Sequence, residues 1–223
     1  MTNRFWVSLS IGLLLFMFGC GGDANAPTNT DDGSAATLTG ITITPNNDVG
    51  LIAGGTAHLK ATGSFSDGTT ADMTAQVLWG ITSTSSATVA SDGIVTGVAS
   101  GTTTITATDI SGTVSGNLAL TVLASAEISI LSGAASKCEN AHSPATLFVP
   151  VGTQVTWTNT DGTHTVTSTN NSSGCPPGGN TIIGEINSSF FSGTFSNIFN
   201  SAGTFHYACQ IGSHTMRATV IVE

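Results

Sequence analysis

The sequence is short of charge, and above all of positive charge. Only 8% of its 223 residues are charged, four basic against thirteen acidic, which gives a formal net charge of −9 at pH 7. Four basic side chains cannot form a cationic stripe for a phosphate backbone, so nucleic-acid binding is excluded. Because 39% of the residues are hydrophobic, the chain also lacks the composition of a disordered acidic protein.

Aromatic residues make up only 6% of the chain, and Leu, Glu, Lys and Arg are scarce. Ser, Thr, Gly and Val are abundant instead, and this balance favours strands over helices. A length of 223 residues suits one large domain or two small ones. The composition therefore predicts an all-β, extracytoplasmic protein.

The N-terminus has the pattern of an export signal. Arg4 precedes an uncharged apolar run over residues 5–18, which is too short to span a membrane comfortably. The run ends at Gly19-Cys20, and a Cys at this point resembles a bacterial lipoprotein signal, although Met17-Phe18 departs from the usual lipobox. The alternative is an ordinary secretory peptide with an incidental cysteine.

The lipoprotein resemblance implies that Cys20 is lipidated and anchors the mature chain to a membrane. We therefore expect residues 1–19 to be a signal peptide. Residues 20–37 are expected to form the lipidated N-terminus and a flexible tether, because they are polar and show no periodicity.

Residues 38–124 contain short alternating runs separated by turn signals such as Ser91-Asp92-Gly93. About seven short strands in this length predict a β-sandwich. The sequence of residues 41–45, 93–97 and 101–107 resembles that of a bacterial immunoglobulin-like domain of group 2. Trp79 falls where that family has its core Trp. The resemblance implies a spacer or an adhesive stalk.

Residues 125–223 carry a set of side chains suited to a metal ion. His164, Cys209, His214 and Met216 offer two imidazoles, a thiolate and a thioether. Two His and one Cys in a trigonal arrangement with a weak axial Met is the blue-copper donor set. Cys209 ends one predicted strand and His164 begins another, so a second β-sandwich would bring the distant His164 to the other donors at one end.

The second module resembles the plastocyanin/amicyanin-like cupredoxins over residues 151–159, 164–168 and 202–209. This resemblance implies a Greek-key sandwich holding one type 1 copper through His164, Cys209 and His214, with Met216 as axial ligand. The gap between His214 and Met216 is shorter than in that family. Met216 is therefore either the axial ligand or a core side chain at the start of the last strand. Thr165 occupies the position after the first His that often holds Asn in plastocyanins.

The cysteine count supports a free thiol at Cys209. With Cys20 assigned to the lipid, three cysteines remain, which is an odd number for an oxidising compartment. Cys138 and Cys175 both fall in polar segments, and we predict a disulfide between them. The alternative for Cys209 is a buried, inert thiol.

The other histidines have weaker signals. His58 is expected at the surface of the first module. His206 alternates away from Cys209 and is expected on the surface or facing another sheet, with partner docking as the alternative. His142 is expected to be a solvated loop residue, with a role as an extra metal ligand as the alternative.

These features favour a protein that transfers electrons and is not an enzyme. We predict a blue-copper carrier, lipid-anchored on the periplasmic or surface face of the cell envelope and displayed on an Ig-like spacer, that exchanges electrons with a redox partner protein near His214. The alternatives are a copper-storage protein and a surface adhesin whose module has lost its metal. Five histidines are too few for the additional copper sites of a multicopper oxidase or nitrite reductase, and no nucleophile elbow is present.

Overall fold

The computed structural model describes residues 35–169 and 182–223, and these form β-strands, two short 3-10 helices and no α-helix. The prediction of an all-β chain is therefore confirmed. In chain order, the strands and 3-10 helices (η) are β1 (Leu38–Thr44), β2 (Val49–Ile52), β3 (Thr56–His58), β4 (Lys60–Phe65), β5 (Thr70–Asp72), β6 (Val77–Ile81), β7 (Ala87–Val89), β8 (Ile94–Gly97), β9 (Gly101–Asp109), β10 (Ser115–Leu123), β11 (Glu127–Ile130), η1 (Ala134–Ser136), η2 (Cys138–Ala141), β12 (His142–Ser143), β13 (Thr146–Val149), β14 (Gln154–His164), β15 (Thr167–Thr169), β16 (Ile182–Asn187), β17 (Phe191–Ile198), β18 (Gly203–Ala208) and β19 (Arg217–Val222).

The predicted signal peptide, Cys20 and most of the predicted tether lie outside the described residues, as does Cys175. Neither of the two helices within the described ranges has the length and apolar character needed to cross a lipid bilayer. Lipidation and membrane anchoring therefore stay predictions.

The first module is a β-sandwich whose strands alternate between core and solvent. Along β9, buried residues alternate with more exposed ones, and β10 shows the same two-residue period. The inward side chains of both strands join Ile43 and Leu51 in one hydrophobic cluster. Trp79 is half-buried and packs against this cluster, and its indole N–H donates to the carbonyl of Thr74 at 2.9 Å.

The second module is also a β-sandwich. A four-stranded sheet in the order β12-β11-β14-β17 contributes Trp157 and Ile128 to its core, and β18 and β19 contribute Tyr207 and Val220 from the other side. Trp157 and Tyr207 are fully buried and pack nearly perpendicular to each other, with ring centroids 5.4 Å apart. Their combined apolar area makes this ring pair a main element of the core.

One nine-stranded sheet runs through both modules, in the order β16-β15-β18-β19-β13-β2-β10-β9-β6. Strand β2 of the first module lies between β10 and β13 and pairs parallel with both, so that Val49 is opposite Leu120 on one side and Thr146 on the other. The two sandwiches are therefore joined by backbone hydrogen bonds as well as by the chain.

Side chains also cross the boundary between the modules. Phe148 of β13 is 1% exposed and belongs to the core cluster of the first module, with Leu51 as its pairing partner on β2. Gly50 lies against Pro144, where an added Cβ would come within 2.5 Å of the proline ring. This close approach requires glycine, because any side chain would separate β2 from the segment before β13.

We expect Phe148→Ala to destabilise both modules together by about 3–5 kcal/mol, the usual cost of removing a buried Phe side chain. Denaturant unfolding followed at NMR amide signals of β9 and β14 should show one shared transition at lower denaturant. Phe190→Ala, at a 66% exposed position, is the control and should change stability by less than about 0.5 kcal/mol. Separate transitions, with only the β14 signals shifted, would contradict the shared core.

Candidate metal centre

Cys209 directly follows β18, where the chain leaves the sheet. Its side chain is 2% exposed, and among the described residues it is the one free cysteine. Pairing of β15 with β18 sets Thr167 opposite Ala208, which brings the segment just after His164 alongside Cys209. The thiol of Cys209 thus faces a part of the chain more than forty residues away.

His164 is the last residue of β14, after an irregularity in the pairing between Asn159 and His164. Its Nε2 lies 2.6 Å from the carbonyl oxygen of Asp161. A carbonyl can only accept, so Nε2–H donates and Nδ1 keeps its lone pair. That Nδ1 lies 3.9 Å from the sulfur of Cys209, in a position to bind a metal ion.

His214 lies in the loop between β18 and β19, where its N–H donates to the carbonyl of Ile211 at 2.8 Å. Its Nδ1 is 3.4 Å from the sulfur of Cys209, and its ring centroid is 4.9 Å from that of His164. Partial burial lowers the pKa of His214, His164 lowers it further, and Asp161 acts in the opposite sense. The lowered pKa favours the neutral ring, which can donate a lone pair.

His164, Cys209 and His214 together fit a single metal ion. Their donor atoms all lie within 4.8 Å of one another. Bonds of about 2.0 Å to imidazole and about 2.3 Å to thiolate, set at trigonal angles, place sulfur and nitrogen about 3.8 Å apart. The observed separations of 3.4 and 3.9 Å are close to this value, and one soft and two borderline donors suit copper.

Thr165 holds the sulfur of Cys209 in this arrangement. Its N–H donates to the sulfur at 3.4 Å, and its hydroxyl lies 3.9 Å from the same atom. The hydroxyl oxygen also accepts the N–H of Gln210 at 2.7 Å. The two contacts from Thr165 to the sulfur suit a thiolate ligand. Hydrogen bonding to a Cys sulfur is one of the features that tune a copper site.

Met216 is fully buried and belongs to the same hydrophobic cluster as Cys209. Its carbonyl accepts the N–H of Cys209 at 3.3 Å, so the two backbones run side by side just before β19 begins. The structure thus brings Met216 next to Cys209, and an axial bond from its sulfur stays a prediction.

Cys138 is disulfide-bonded. Its predicted partner Cys175 lies outside the described residues, so the pairing itself stays a prediction. Two histidines outside the centre are placed near the surface. His58 is exposed and forms an ion pair with Glu223 at 3.2 Å, while His206 is half-buried with its Nδ1 2.9 Å from the hydroxyl of Thr219.

The expectation of a solvated His142 was wrong. This residue forms the short strand β12, opposite Ile130 of β11, and its side chain is only 2% exposed. Its ring packs edge-on against Tyr207 with centroids 5.1 Å apart. Burial and the contact with Tyr207 place the His142 ring in the core, and His142 is not part of the group of described side chains that could hold a metal ion.

Asp161 and Asn159 also shape the centre, and no motif had singled them out as functional. The amide of Asn159 donates to the carbonyls of Gly162 and Phe191, and its oxygen accepts the N–H of Asp161. The signal in the sequence is an Asn-x-Asp-Gly turn pattern, which indicates side-chain hydrogen bonding to the backbone but not its purpose.

The first module matches a known family. Residues 37–122 match the family model described as bacterial Ig-like domain (group 2), as the sequence resemblance had indicated. The chain is also 35% identical over 135 residues to ice-binding protein 1 of Shewanella frigidimarina. That alignment covers 56% of this chain and spans only 15% of the relative's length.

Two solved structures are similar to parts of the chain. A purple cupredoxin from Nitrosopumilus maritimus is 29% identical, with 44% of this chain and 99% of that chain covered and a TM-score of 0.37. Domains 4 and 5 of the S-layer protein SbsC are 26% identical, with 40% of this chain and 54% of that chain covered and a TM-score of 0.33. These TM-scores are too low to support an inference about ligands.

Burial of His142 predicts a loss of stability in acid. Desolvation lowers its pKa from 6.5 to about 4 in the folded protein. Between these values the unfolded chain binds a proton that the folded chain does not, so stability falls as the pH drops from 6.5 to 4. The free energy of unfolding should fall by on the order of 3 kcal/mol over this range because of His142, and His142 should cause no such loss above pH 6.5.

Denaturant unfolding of the metal-free protein at a series of pH values tests this. His142→Phe should flatten the dependence between pH 6.5 and 4. His206→Gln should flatten the pH dependence less, because His206 is only half-buried, although burial lowers its pKa too. An unchanged slope in His142→Phe would show that other groups cause the acid sensitivity.

Proposed function

We propose that this protein is a type 1 copper electron-transfer protein, a one-electron carrier between Cu(I) and Cu(II). The observation that carries the proposal is the convergence of two imidazole Nδ1 atoms on the buried sulfur of Cys209, at 3.9 Å for His164 and 3.4 Å for His214. Hydrogen bonds at His164 Nε2 and at the sulfur of Cys209 support the roles of these two side chains as ligands. A trigonal His₂Cys set is the signature of blue-copper electron transfer.

Copper bound there supplies the one-electron redox step, and the protein holds the donors in place. Thr165 donates to the sulfur of Cys209, and the carbonyl of Asp161 fixes the tautomer of His164. Donors already held by the fold move little when the oxidation state changes, which favours fast electron exchange. No substrate is transformed, and the protein acts as a carrier and not as an enzyme.

His214 is the route by which electrons enter and leave in this proposal. Of the three donors, His164 and Cys209 are buried, whereas His214 is partly exposed and lies beside the exposed Gly212 and Ser213. A redox partner protein that docks over this loop reaches the metal through one imidazole ring. The half-buried His206 alternates with the buried Tyr207 along β18, so the two side chains point to opposite faces of the sheet.

We also propose that the protein works outside the cytoplasm, attached to the cell envelope by a lipid on Cys20. The match of residues 37–122 to a bacterial Ig-like family and the disulfide bond at Cys138 support export, because disulfides persist in oxidising compartments. In this arrangement the first module displays the metal centre away from the membrane.

Copper loading with a Cys209→Ser control tests the function. The wild type should bind one copper per chain, show an intense visible charge-transfer band and give a reversible one-electron wave in voltammetry. Cys209→Ser should lose the band, because a hydroxyl is a hard, weak donor without a comparable transition. The similar size of Ser keeps the fold intact for comparison.

A band that survives in Cys209→Ser would refute the thiolate–copper assignment. A protein that binds copper but shows no reversible wave, and that yields the metal readily to a chelator, would instead be a storage or delivery protein. Both results come from the same purified samples.

The axial role of Met216 predicts a change in reduction potential. Met216→Leu should keep the visible band and raise the potential, because loss of a weak donor disfavours Cu(II). The substitution nearly conserves volume and should cost less than about 1.5 kcal/mol of stability. Voltammetry that shows the wild-type potential in Met216→Leu would leave Met216 as a core side chain and the three other donors unaffected.

A further inference from the structure

Asp161 makes hydrogen bonds to His164 and to a separate segment of the chain that in turn contacts the loop of His214. It lies three residues before His164, within the irregular part of β14, and its carbonyl accepts the N–H of His164 Nε2 at 2.6 Å. Its carboxylate turns the other way and accepts the N–H groups of Gly133 and Ala134 at 2.7 and 3.2 Å. One residue therefore contacts a metal-binding histidine and a separate segment of the chain.

That segment, residues 131–141, is called the strap here because it connects the two loops. Its Ala134 and Ala141 are fully buried in the core of the second module. The carbonyl of Ala135 accepts the N–H of Thr215 at 2.8 Å and lies 3.4 Å from its hydroxyl. Thr215 directly follows His214, so the strap reaches the loop of the second histidine.

We infer that Asp161 is a positioning residue that holds His164 and His214 in register with Cys209. Its carbonyl selects the tautomer of His164, and its carboxylate fixes the strap, which in turn holds the loop of His214. The inference rests on the proposed copper function for its spectroscopic consequences, whereas the hydrogen bonds involve only groups of the chain.

The strength of these contacts follows from charge. A carboxylate that accepts two backbone N–H groups forms charge-assisted hydrogen bonds, which are stronger than neutral ones. Groups that orient metal-binding histidines change metal affinity by about 10–100-fold when they are removed. Loss of the carboxylate should free the strap and so loosen the loop of His214, while the backbone carbonyl at position 161 still holds His164.

The charge of Asp161 has a second consequence at the centre. A negative charge close to the ligands stabilises the more positive, oxidised state, so its removal should raise the reduction potential. Asn at this position keeps an acceptor oxygen but not the charge, whereas Ala loses both. The two variants therefore separate positioning from electrostatics.

The experiment compares Asp161→Ala and Asp161→Asn with the wild type and with Asp67→Ala. Asp67 is the matched control, because its carboxylate accepts the N–H of Thr69 at 2.9 Å in an exposed turn of the first module. Amide hydrogen exchange at Thr215 in the metal-free proteins, followed by NMR, reports how firmly the strap holds the loop of His214. Copper titration, the visible spectrum and voltammetry report the loaded centre.

In Asp161→Ala we expect faster amide exchange at Thr215, copper binding at least about 10-fold weaker and a shifted visible band. Asp161→Asn should keep the band and raise the potential, and Asp67→Ala should match the wild type in every readout. Wild-type exchange, affinity and spectrum in Asp161→Ala would overturn the inference.

The outcomes also separate this inference from the proposed function. A wild type that forms no copper band refutes the function, while amide exchange in metal-free Asp161→Ala still tests positioning. If Asp161→Ala does not fold, amide exchange at Thr215 in Asp161→Asn decides: a neutral acceptor makes weaker hydrogen bonds to Gly133 and Ala134, so exchange at the wild-type rate would overturn the inference.

Discussion

The candidate metal centre depends on the hydrogen bonds between Thr165 and the two residues that follow β18. The N–H of Thr165 donates to the sulfur of Cys209, and its hydroxyl accepts the N–H of Gln210, so two segments far apart in the chain are aligned residue by residue. This alignment places His164 beside Cys209 and leaves the following loop to supply His214. The sheet therefore sets the alignment that brings the three donors together.

The same sheet changes the relation between the two modules. An Ig-like domain attached only by its chain would be free to move, but β2 pairs with β13 and Phe148 is buried in the first module's core. Backbone pairing and a shared apolar core both resist separation of the modules. In the proposed function, the first module is therefore part of the framework of the centre as well as the means of its display.

Much of the fold and the donor set could be predicted from the sequence, whereas the supports around the donors could not. Alternating residues and turn signals indicate strands through local chemistry, and the types and spacing of His164, Cys209 and His214 indicate a metal ion. Most hydrogen bonds of Asp161 and Thr165 have a backbone group as one partner, and a backbone group does not depend on the identity of its residue. His142 was misjudged for a related reason, since its burial depends on β12 pairing with β11.

The sequence by itself determined the all-β class, the two-module order and the chemical character of the candidate ligands, because these follow from composition, two-residue periodicity and side-chain type. Only the tertiary structure decided that β2 joins the modules in one sheet, that the strap links the loops of His164 and His214, and that His142 lies in the core. Each of these depends on contacts between residues distant in the chain. Such contacts are selected by the free energy of the whole packed fold, and no local stretch of sequence encodes them.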